Sequence, residues 1–233
     1  MPHRCAIYFA PAAGHPLWSD AALWLGRDPL TGLTHDDDIA GVERLLLKAH
    51  SVSARRYGFH ATIKAPMQLA AGTDAEGLVA ALADFAATEA PVPMGPMQLQ
   101  LLEGFLALVP LQQPQALTDF AARAVAAFEP FRAPLAEQDR DRRVAPGHLS
   151  PRQVELLDRF GYPYVLEQFQ FHMTLTDRLP DDLRAPMLAA ASRHFAAHAG
   201  AELVLDRLVL FTEPEAGAPF ARGPDFPLGR KYD

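Results

Sequence analysis

Short runs of apolar residues, separated by turn-forming segments, predict a chain in which strands and helices alternate. Strands are predicted where a short apolar run ends at proline, glycine or acidic residues. Helices are predicted where apolar residues recur at three- and four-residue intervals. The predicted strands cover residues 5–10, 55–64, 97–102, 105–111, 168–176 and 203–212. The predicted helices cover residues 17–25, 74–89, 117–128, 151–160 and 183–198.

Local signals mark the ends of several of these elements. Ser150 can cap a helix whose first residue is Pro151, and Gln153 can return the bond of a capping box. Gly161 is placed to end that helix. Glu103-Gly104 between two apolar runs predicts a tight hairpin. Residues 27–42, residues 133–147 and the tail from residue 213 are rich in turn-forming or charged residues and are predicted to be loops.

A strand–helix–strand unit occurs twice. The first unit runs through residues 57–64, 74–89 and 97–102, and the second through residues 170–176, 182–198 and 203–211. The two leading strands also match in sequence, as Phe-His-Ala-Thr-Ile from residue 59 and Phe-His-Met-Thr-Leu from residue 171. The chain is therefore predicted to be a single α+β domain over residues 1–233. It would have two similar lobes across a cleft, with repeat units at roughly 55–111 and 168–212.

Composition narrows the classes of partner. The 233 residues carry a net charge of −7, which disfavours duplex nucleic acid and anionic membranes but allows a local basic pocket for a small anion. The single cysteine, Cys5, excludes an internal disulfide and is expected to be buried. No window approaches the roughly 18 apolar residues of a membrane span, so the expected location is the cytoplasm. We expect a monomer.

The repeated strand presents a histidine and a threonine together. Side chains alternate between the two faces of a strand, so His60 and Thr62 share one face while apolar neighbours occupy the other. His172 and Thr174 repeat the arrangement in the second strand. If the lobes meet on these faces, two imidazoles and two hydroxyls converge. One such histidine could be structural, but two in equivalent positions of a repeat predict a shared site.

Such a site suits the chemistry of phosphodiesters. A neutral imidazole can take a proton from the attacking group, and a protonated imidazole can donate one to the leaving oxygen. The threonine hydroxyls can donate to the non-bridging phosphoryl oxygens. This chemistry requires no metal and no cofactor. The sequence also lacks a P-loop and a Gly-x-Ser-x-Gly elbow.

These motifs resemble the 2H phosphoesterase superfamily, which includes RNA 2′,3′-cyclic phosphodiesterases. The resemblance implies two lobes related by a pseudo-twofold axis, each a small antiparallel sheet packed with helices, and a central cleft. It implies that His60, Thr62, His172 and Thr174 form the catalytic set. The segments at residues 56–66, 161–164 and 171–176 are similar to the DUF1045 branch, which occurs with bacterial phosphonate-degradation genes. That branch implies a cyclic phosphodiesterase able to open a phosphoribosyl 1,2-cyclic phosphate.

Four neighbours of the motifs are candidate substrate-binding residues. By alternation Arg56, Lys64 and Thr176 share the face of the motif residues. Tyr57 has the opposite parity, but a bend at Gly58 could turn it toward the site. Each could equally be a solvated or structural side chain.

Two further clusters allow alternative interpretations. Arg140, Arg142 and Arg143 are interpreted first as part of a solvated loop, and alternatively as a clamp on a second anionic group of the substrate. His194 and His198 have the spacing of a metal site, but no third ligand is evident nearby, so no metal is expected there. His35 beside three aspartates is interpreted as an acidic loop.

The preferred function is the opening of a cyclic phosphodiester on a small ribose-containing molecule, with a cyclic phosphate or sugar phosphate as the partner. The alternatives are a phosphodiesterase acting on RNA ends, a protein that binds a phosphate ligand without turnover, and a metal-dependent hydrolase. Which histidine is the acid and which the base stays open.

Overall fold

The computed structural model describes residues 2–229 and contains two four-stranded antiparallel sheets. Within these residues the strands are β1 (Arg4–Phe9), β2 (Ala61–Met67), β3 (Val92–Leu102), β4 (Phe105–Pro110), β5 (Met173–Thr174), β6 (Glu202–Leu205), β7 (Arg207–Glu213) and β8 (Ala221–Pro227). The first sheet has the order β2-β1-β7-β8 and the second the order β5-β4-β3-β6. The expected α+β architecture of two antiparallel sheets packed with helices is confirmed.

Helices connect and cover the sheets. They are α1 (Pro16–Leu25), α2 (Arg44–Ala49), α3 (Val52–Tyr57), α4 (Ala75–Thr88), α5 (Gln115–Phe128), α6 (Glu137–Val144), α7 (Pro151–Phe160) and α8 (Asp181–His194). No helix in this described part of the chain is both long and apolar enough to cross a membrane.

Local sequence signals account for several element ends. In α7, Ser150 accepts a hydrogen bond from the Gln153 amide while the Gln153 side chain bonds the Ser150 amide, and Gly161 ends the helix in a left-handed conformation. In the β3–β4 hairpin, Glu103 and Gly104 both have positive φ, as a two-residue turn of this kind requires. Both predictions are confirmed.

One apolar core joins the two sheets. It contains side chains from the inner faces of both, such as Ile7 and Phe9 from β1 and Leu106 and Leu108 from β4. Phe9 and Phe171 approach across the sheets with ring centroids 5.9 Å apart. Each fully buried side chain of this size contributes about 1.5–3 kcal/mol to folding. The outer face of β1, which carries Tyr8, packs in a separate cluster with Trp18, Phe211 and Phe220.

The repeat units do not map one to each sheet. β2 lies in the first sheet, but β3, which follows it after α4, lies in the second. β5 lies in the second sheet, and α8 connects it to β6, which lies in the second sheet as well. The next strand, β7, lies in the first sheet. Each sheet is therefore built from both units, with β2 and β5 as corresponding edge strands.

Several predicted elements are wrong in extent. The predicted strand 203–212 is two strands in different sheets, separated at Asp206, whose carboxylate holds the adjacent Arg207. The tail predicted as a loop contains β8, an edge strand, where its prolines are tolerated. The predicted loop 133–147 contains α6, whose apolar content is too low to show helical periodicity.

The two motif segments also differ from the prediction. Residues 55–57 are helical, as the end of α3, and β2 begins only at Ala61. In the second motif only Met173 and Thr174 pair as a strand. His60 and His172 thus stand just before their strands.

Candidate active site

A cavity of about 430 Å³ lies where the two edge strands meet. The Cα atoms of β2 and β5 approach within 8 Å. Thr62 from β2 and Thr174 from β5 both line this cavity, together with His60. The structure therefore brings the two motif strands together, as the repeat predicts.

His60 is held by its backbone and by an aromatic ring. Its Nδ1–H donates to the carbonyl oxygen of Gly58 at 2.8 Å, since a carbonyl can only accept. Nε2 is then the unprotonated nitrogen of the neutral ring, and it lies 3.3 Å from the hydroxyl oxygen of Thr62. The imidazole stacks on Tyr8 with a centroid distance of 3.6 Å and an interplanar angle of 17°. Burial in these surroundings lowers the pKa of His60 to about 4.

Gly58 makes the His60 geometry possible. Its φ of +80° is favourable for glycine, and a side chain there would collide with the ring of Pro29. The residue ends α3 and turns the chain so that its carbonyl faces the His60 ring.

His172 repeats this support in the second motif. Its Nδ1–H donates to the carbonyl oxygen of Gln170 at 2.8 Å, again two residues before the histidine. Burial lowers the pKa of His172 as well. The Phe105 ring packs beside it with centroids 5.7 Å apart.

The two histidines line adjoining cavities. His172 lines a cavity of about 200 Å³ that shares Tyr162 and Tyr164 with the larger cavity around His60. Positive charge on His172 further lowers the pKa of His60, so the two rings interact electrostatically. The structure thus groups His60, Thr62 and Thr174 at one cavity and places His172 at an adjoining cavity that shares Tyr162 and Tyr164 with it.

Two candidate substrate-binding residues near the first motif have different positions. Tyr57 lines the main cavity from the end of α3. Arg56 points away, because its guanidinium pairs with Glu213 and donates to the Ala218 carbonyl. The shared face expected for Arg56 is wrong, since that residue lies in a helix and not in the strand.

The expected position of Lys64 is also wrong. In the β1–β2 pairing, Ile7 lies opposite Lys64 but the next residue, Tyr8, lies opposite Thr62. One residue of β2 is therefore extra at this point, and Thr62 and Lys64 no longer follow the simple alternation of faces. Lys64 is buried, pairs with Glu129 and donates to the Val125 carbonyl at 3.2 Å. Ala65 lines the cavity instead.

Thr176 likewise lies in the protein interior and not at the cavity. It is fully buried, and its hydroxyl accepts a hydrogen bond from the Leu106 amide at 2.9 Å. The expectation that it shares the site face is wrong, because β5 ends at Thr174.

Sequence reasoning missed Tyr8, which lines the main cavity, and left the role of Arg142 and Arg143 open. Tyr8 lay in a run predicted only as a buried strand, so its sequence carried no signal. Arg142 and Arg143 of α6 reach the cavity, whereas Arg140 pairs with Asp158. These three arginines were visible as a cluster, and the structure separates them.

Hydroxyl groups and cations line part of this cavity, whose wall is otherwise mostly apolar. Burial raises the pKa of Tyr162 to about 12 and that of Tyr8 well above its ordinary value, so both keep their protons near neutral pH. Arg4, Arg142 and Arg143 line the same space. The arrangement can bind an anion and move protons through its imidazoles.

The histidine pair considered as a metal site has other partners. A ring nitrogen of His194 lies 2.7 Å from the Asp20 carbonyl oxygen, and one of His198 lies 2.7 Å from the Asp20 carboxylate. Among residues 2–229 no group of three His, Cys, Asp or Glu side chains is arranged to hold a metal ion.

Comparison with solved structures finds matches that extend over nearly the whole chain. E. coli LigT in complexes with NADP⁺ and with 3′-AMP matches 99% of this chain and 100% of its own, at 12% identity and TM-scores of 0.40 and 0.42. A structure described as a phosphoesterase matches the same shares at 11% identity and a TM-score of 0.39. Likenesses at this level do not assign a function.

Comparison with characterised sequences finds longer relatives. Ribose 1,5-bisphosphate phosphokinase PhnN of Janthinobacterium sp. (strain Marseille) is 38% identical over 97% of this chain and 51% of its own length. The protein of the same name from Laribacter hongkongensis (strain HLHK9) is 34% identical over 93% of this chain and 50% of its own. The chain therefore spans about half the length of the curated relatives it matches.

A family model also matches most of the chain. It is DUF1045, described as a protein of unknown function, and it matches residues 62–221, which include both the Thr62 end of the first motif and the whole second motif. This match covers more than half of the sequence, and the chain belongs to the DUF1045 family.

Proposed function

We propose that this protein is a phosphodiesterase that opens a cyclic phosphodiester on a small ribose-containing substrate. One observation carries the proposal: the two motif histidines are held alike, each with Nδ1–H bonded to the carbonyl two residues before it. In the neutral rings this keeps the proton on Nδ1 and leaves Nε2 unprotonated, and Nε2 of His60 lies 3.3 Å from the Thr62 hydroxyl oxygen. The arrangement fits acid–base catalysis at one phosphate.

The proposed reaction assigns different roles to the histidines. His60 accepts a proton from water through Nε2, because its pKa of about 4 keeps the ring neutral above that pH. The water oxygen bonds to phosphorus as the ring P–O bond breaks, and His172 gives a proton to the leaving oxygen. Thr62 and Thr174 donate to the non-bridging oxygens. The product is a phosphomonoester, and no step needs a metal ion.

The named relatives support a phosphorylated ribose as the substrate class. Their name specifies ribose 1,5-bisphosphate. We do not extend the kinase activity to this chain, which matches half of their length and has no P-loop sequence. The resemblance to the phosphonate-operon branch favours phosphoribosyl 1,2-cyclic phosphate within that class.

A cyclic phosphate at an RNA or nucleotide end is the second candidate. The cavity beside His172 is lined by Phe105, Tyr162 and Tyr164, and such rings can stack on a base. This candidate uses the same histidines and differs only in what lies next to the phosphate.

The test is a substrate panel measured with wild type, His60→Ala and His172→Ala in the presence of a chelator. The panel contains a cyclic ribose phosphate, a 2′,3′-cyclic mononucleotide and a cyclic-ended oligonucleotide. We expect the cyclic ribose phosphate to be opened and each substitution to lower kcat by about 10²–10⁴-fold.

His35→Ala serves as the matched control, because His35 lies in a loop outside the cavity and its described hydrogen bond is made by its backbone. Cleavage of the oligonucleotide alone would favour the second candidate. Tight binding without product would indicate a ligand-binding protein, and activity that survives both histidine substitutions or is lost to the chelator would refute the mechanism.

A further inference from the structure

A second cavity, of about 600 Å³, borders the one that contains His60. Arg4, Tyr57, Pro66, Arg142 and Arg143 line both, so the two spaces share a wall. Side chains on this shared wall can therefore contact a ligand in either space, and we call the second space the arginine cavity.

Guanidinium groups dominate the wall of the arginine cavity. Its described lining includes five arginines, namely Arg4, Arg56, Arg132, Arg142 and Arg143. The carboxylate in that lining is Asp139. Arginine matches the geometry of phosphate oxygens and can donate two parallel hydrogen bonds to them.

Carboxylates behind the wall do not balance these cations. Glu213 is shared by Arg4 and Arg56, and its pKa is lowered to about 2 by its bonds to them, so it is ionised. Glu129 is shared by Arg132 and the buried Lys64.

The two remaining arginines belong to α6. Arg142 pairs with Asp139. The hydrogen bond described for Arg143 goes to the carbonyl oxygen of Gly161 at 2.7 Å, a neutral acceptor. The five arginines and Lys64 carry six positive charges, and Glu213, Glu129 and Asp139 carry three negative ones. The surroundings of this cavity therefore have an excess of about three positive charges in a protein whose net charge is −7.

Some of these arginines already use their guanidinium groups in bonds within the protein. Arg132 donates to the carbonyl oxygens of Ala133 and Arg159 in addition to its bond with Glu129. Arg142 and Arg143 are freer, since they project from a short surface helix, and both reach the wall shared with the His60 cavity. They are the groups best placed to meet an incoming anion.

We propose that the arginine cavity is a subsite for a second, non-reacting phosphate group of the substrate. This inference rests on the proposed function, and it specifies the substrate class further: one phosphate is a cyclic ester at the histidines, and a phosphomonoester on the same small molecule enters the arginine cavity. Arg142 and Arg143 bind that phosphomonoester and thereby strengthen the binding of the substrate.

The experiment compares a matched pair of substrates, a cyclic ribose phosphate with and without a phosphomonoester at C5. We expect wild type to prefer the doubly phosphorylated substrate in kcat/KM by at least about 100-fold. In the double variant Arg142→Gln, Arg143→Gln that preference should fall by about 10- to 100-fold, mainly through KM, because uniform binding is removed.

Arg140→Gln is the matched control, since Arg140 lies on the same helix, is exposed, pairs with Asp158 and does not line either cavity. It should keep the wild-type preference. An unchanged preference in the double variant, or no preference in wild type, would overturn the subsite while leaving the opening of cyclic phosphates intact.

If neither substrate is turned over, calorimetry of ribose 5-phosphate binding still tests the phosphate subsite separately from the proposed opening of cyclic phosphates. Wild type should bind it, the double variant should bind it about 10-fold or more weakly, and Arg140→Gln should match wild type. Absence of binding to wild type would refute the subsite. Inorganic phosphate is then tested as a competitor of ribose 5-phosphate. If it binds as tightly as ribose 5-phosphate does, the cavity is a site for free phosphate and not for a phosphomonoester of the substrate.

Discussion

His60 and His172 share one backbone support but differ in their surroundings. The His60 ring lies flat against the fully buried Tyr8, whereas the His172 ring meets Phe105 at a tilt in a smaller cavity. An apolar, desolvated ring resists protonation, so the pKa of His60 falls further than that of His172. This difference gives a physical reason for making His60 the base and His172 the acid.

The assignment predicts the pH dependence of activity. The base form of His60 is lost as the pH falls through about 4, and the acid form of His172 is lost as the pH rises through its pKa, which lies below the ordinary 6.5. We therefore expect the optimum of kcat/KM between about pH 4 and 6.5. Imidazole ¹⁵N NMR should show His60 titrating at lower pH than His172, with signals assigned through the single alanine variants. Titration of His60 near 6.5 would contradict the assignment.

At the scale of elements, an irregularity in one strand pair decides which side chains reach the site. The shifted register between β1 and β2 places Ala65 at the cavity and turns Lys64 into the protein. There the Lys64 side chain forms an ion pair with Glu129 and so links β2 to the segment that follows α5. The residue thus supports the strand that carries Thr62 and does not face the phosphate.

This position predicts a loss of stability and not of catalysis when Lys64 is replaced. Lys64→Met should lower the free energy of unfolding by about 1–3 kcal/mol, because a buried hydrogen-bonded charge pair is broken while Arg132 still neutralises Glu129. Urea unfolding measures the loss, and kcat measured well below the transition should stay near wild type. Wild-type stability combined with a large fall in kcat would place Lys64 in the site instead.

At the scale of the whole molecule, the two sheets share one apolar core. The inner faces of β1 and β4 contribute to a single core, and the strand order sends each repeat unit into both sheets. Neither sheet can therefore bury its apolar face without the other. The site at their junction depends on this packing, since β2 and β5 come from different sheets.

A shared core predicts shared protection against unfolding. Phe171→Ala removes a ring that contacts Phe9 of the other sheet and should cost about 3–5 kcal/mol. Native-state hydrogen exchange should then show equal losses of protection for amides of β1 and β4. If β4 alone lost protection, the sheets would be independent units.

The sequence by itself determined the local features of this protein. The capping box at Ser150, the hairpin at Glu103-Gly104 and the apolar spacing of α4 and α5 depend on residues close in the chain, so they could be predicted. The repeated His-x-Thr segments predicted two strands that face each other across a cleft, because an internal repeat implies equivalent positions in space.

Tertiary structure alone decided what depends on distant partners. The register of β2 against β1 set the fate of Lys64, and the end of β5 buried Thr176 against Leu106. β8 exists because β7 offers an open edge, and the arginine cavity exists because residues distant in sequence, such as Arg4 and Arg143, come together there. Strand pairing and charge balance are sums over contacts between remote segments, and no local pattern of residues encodes them.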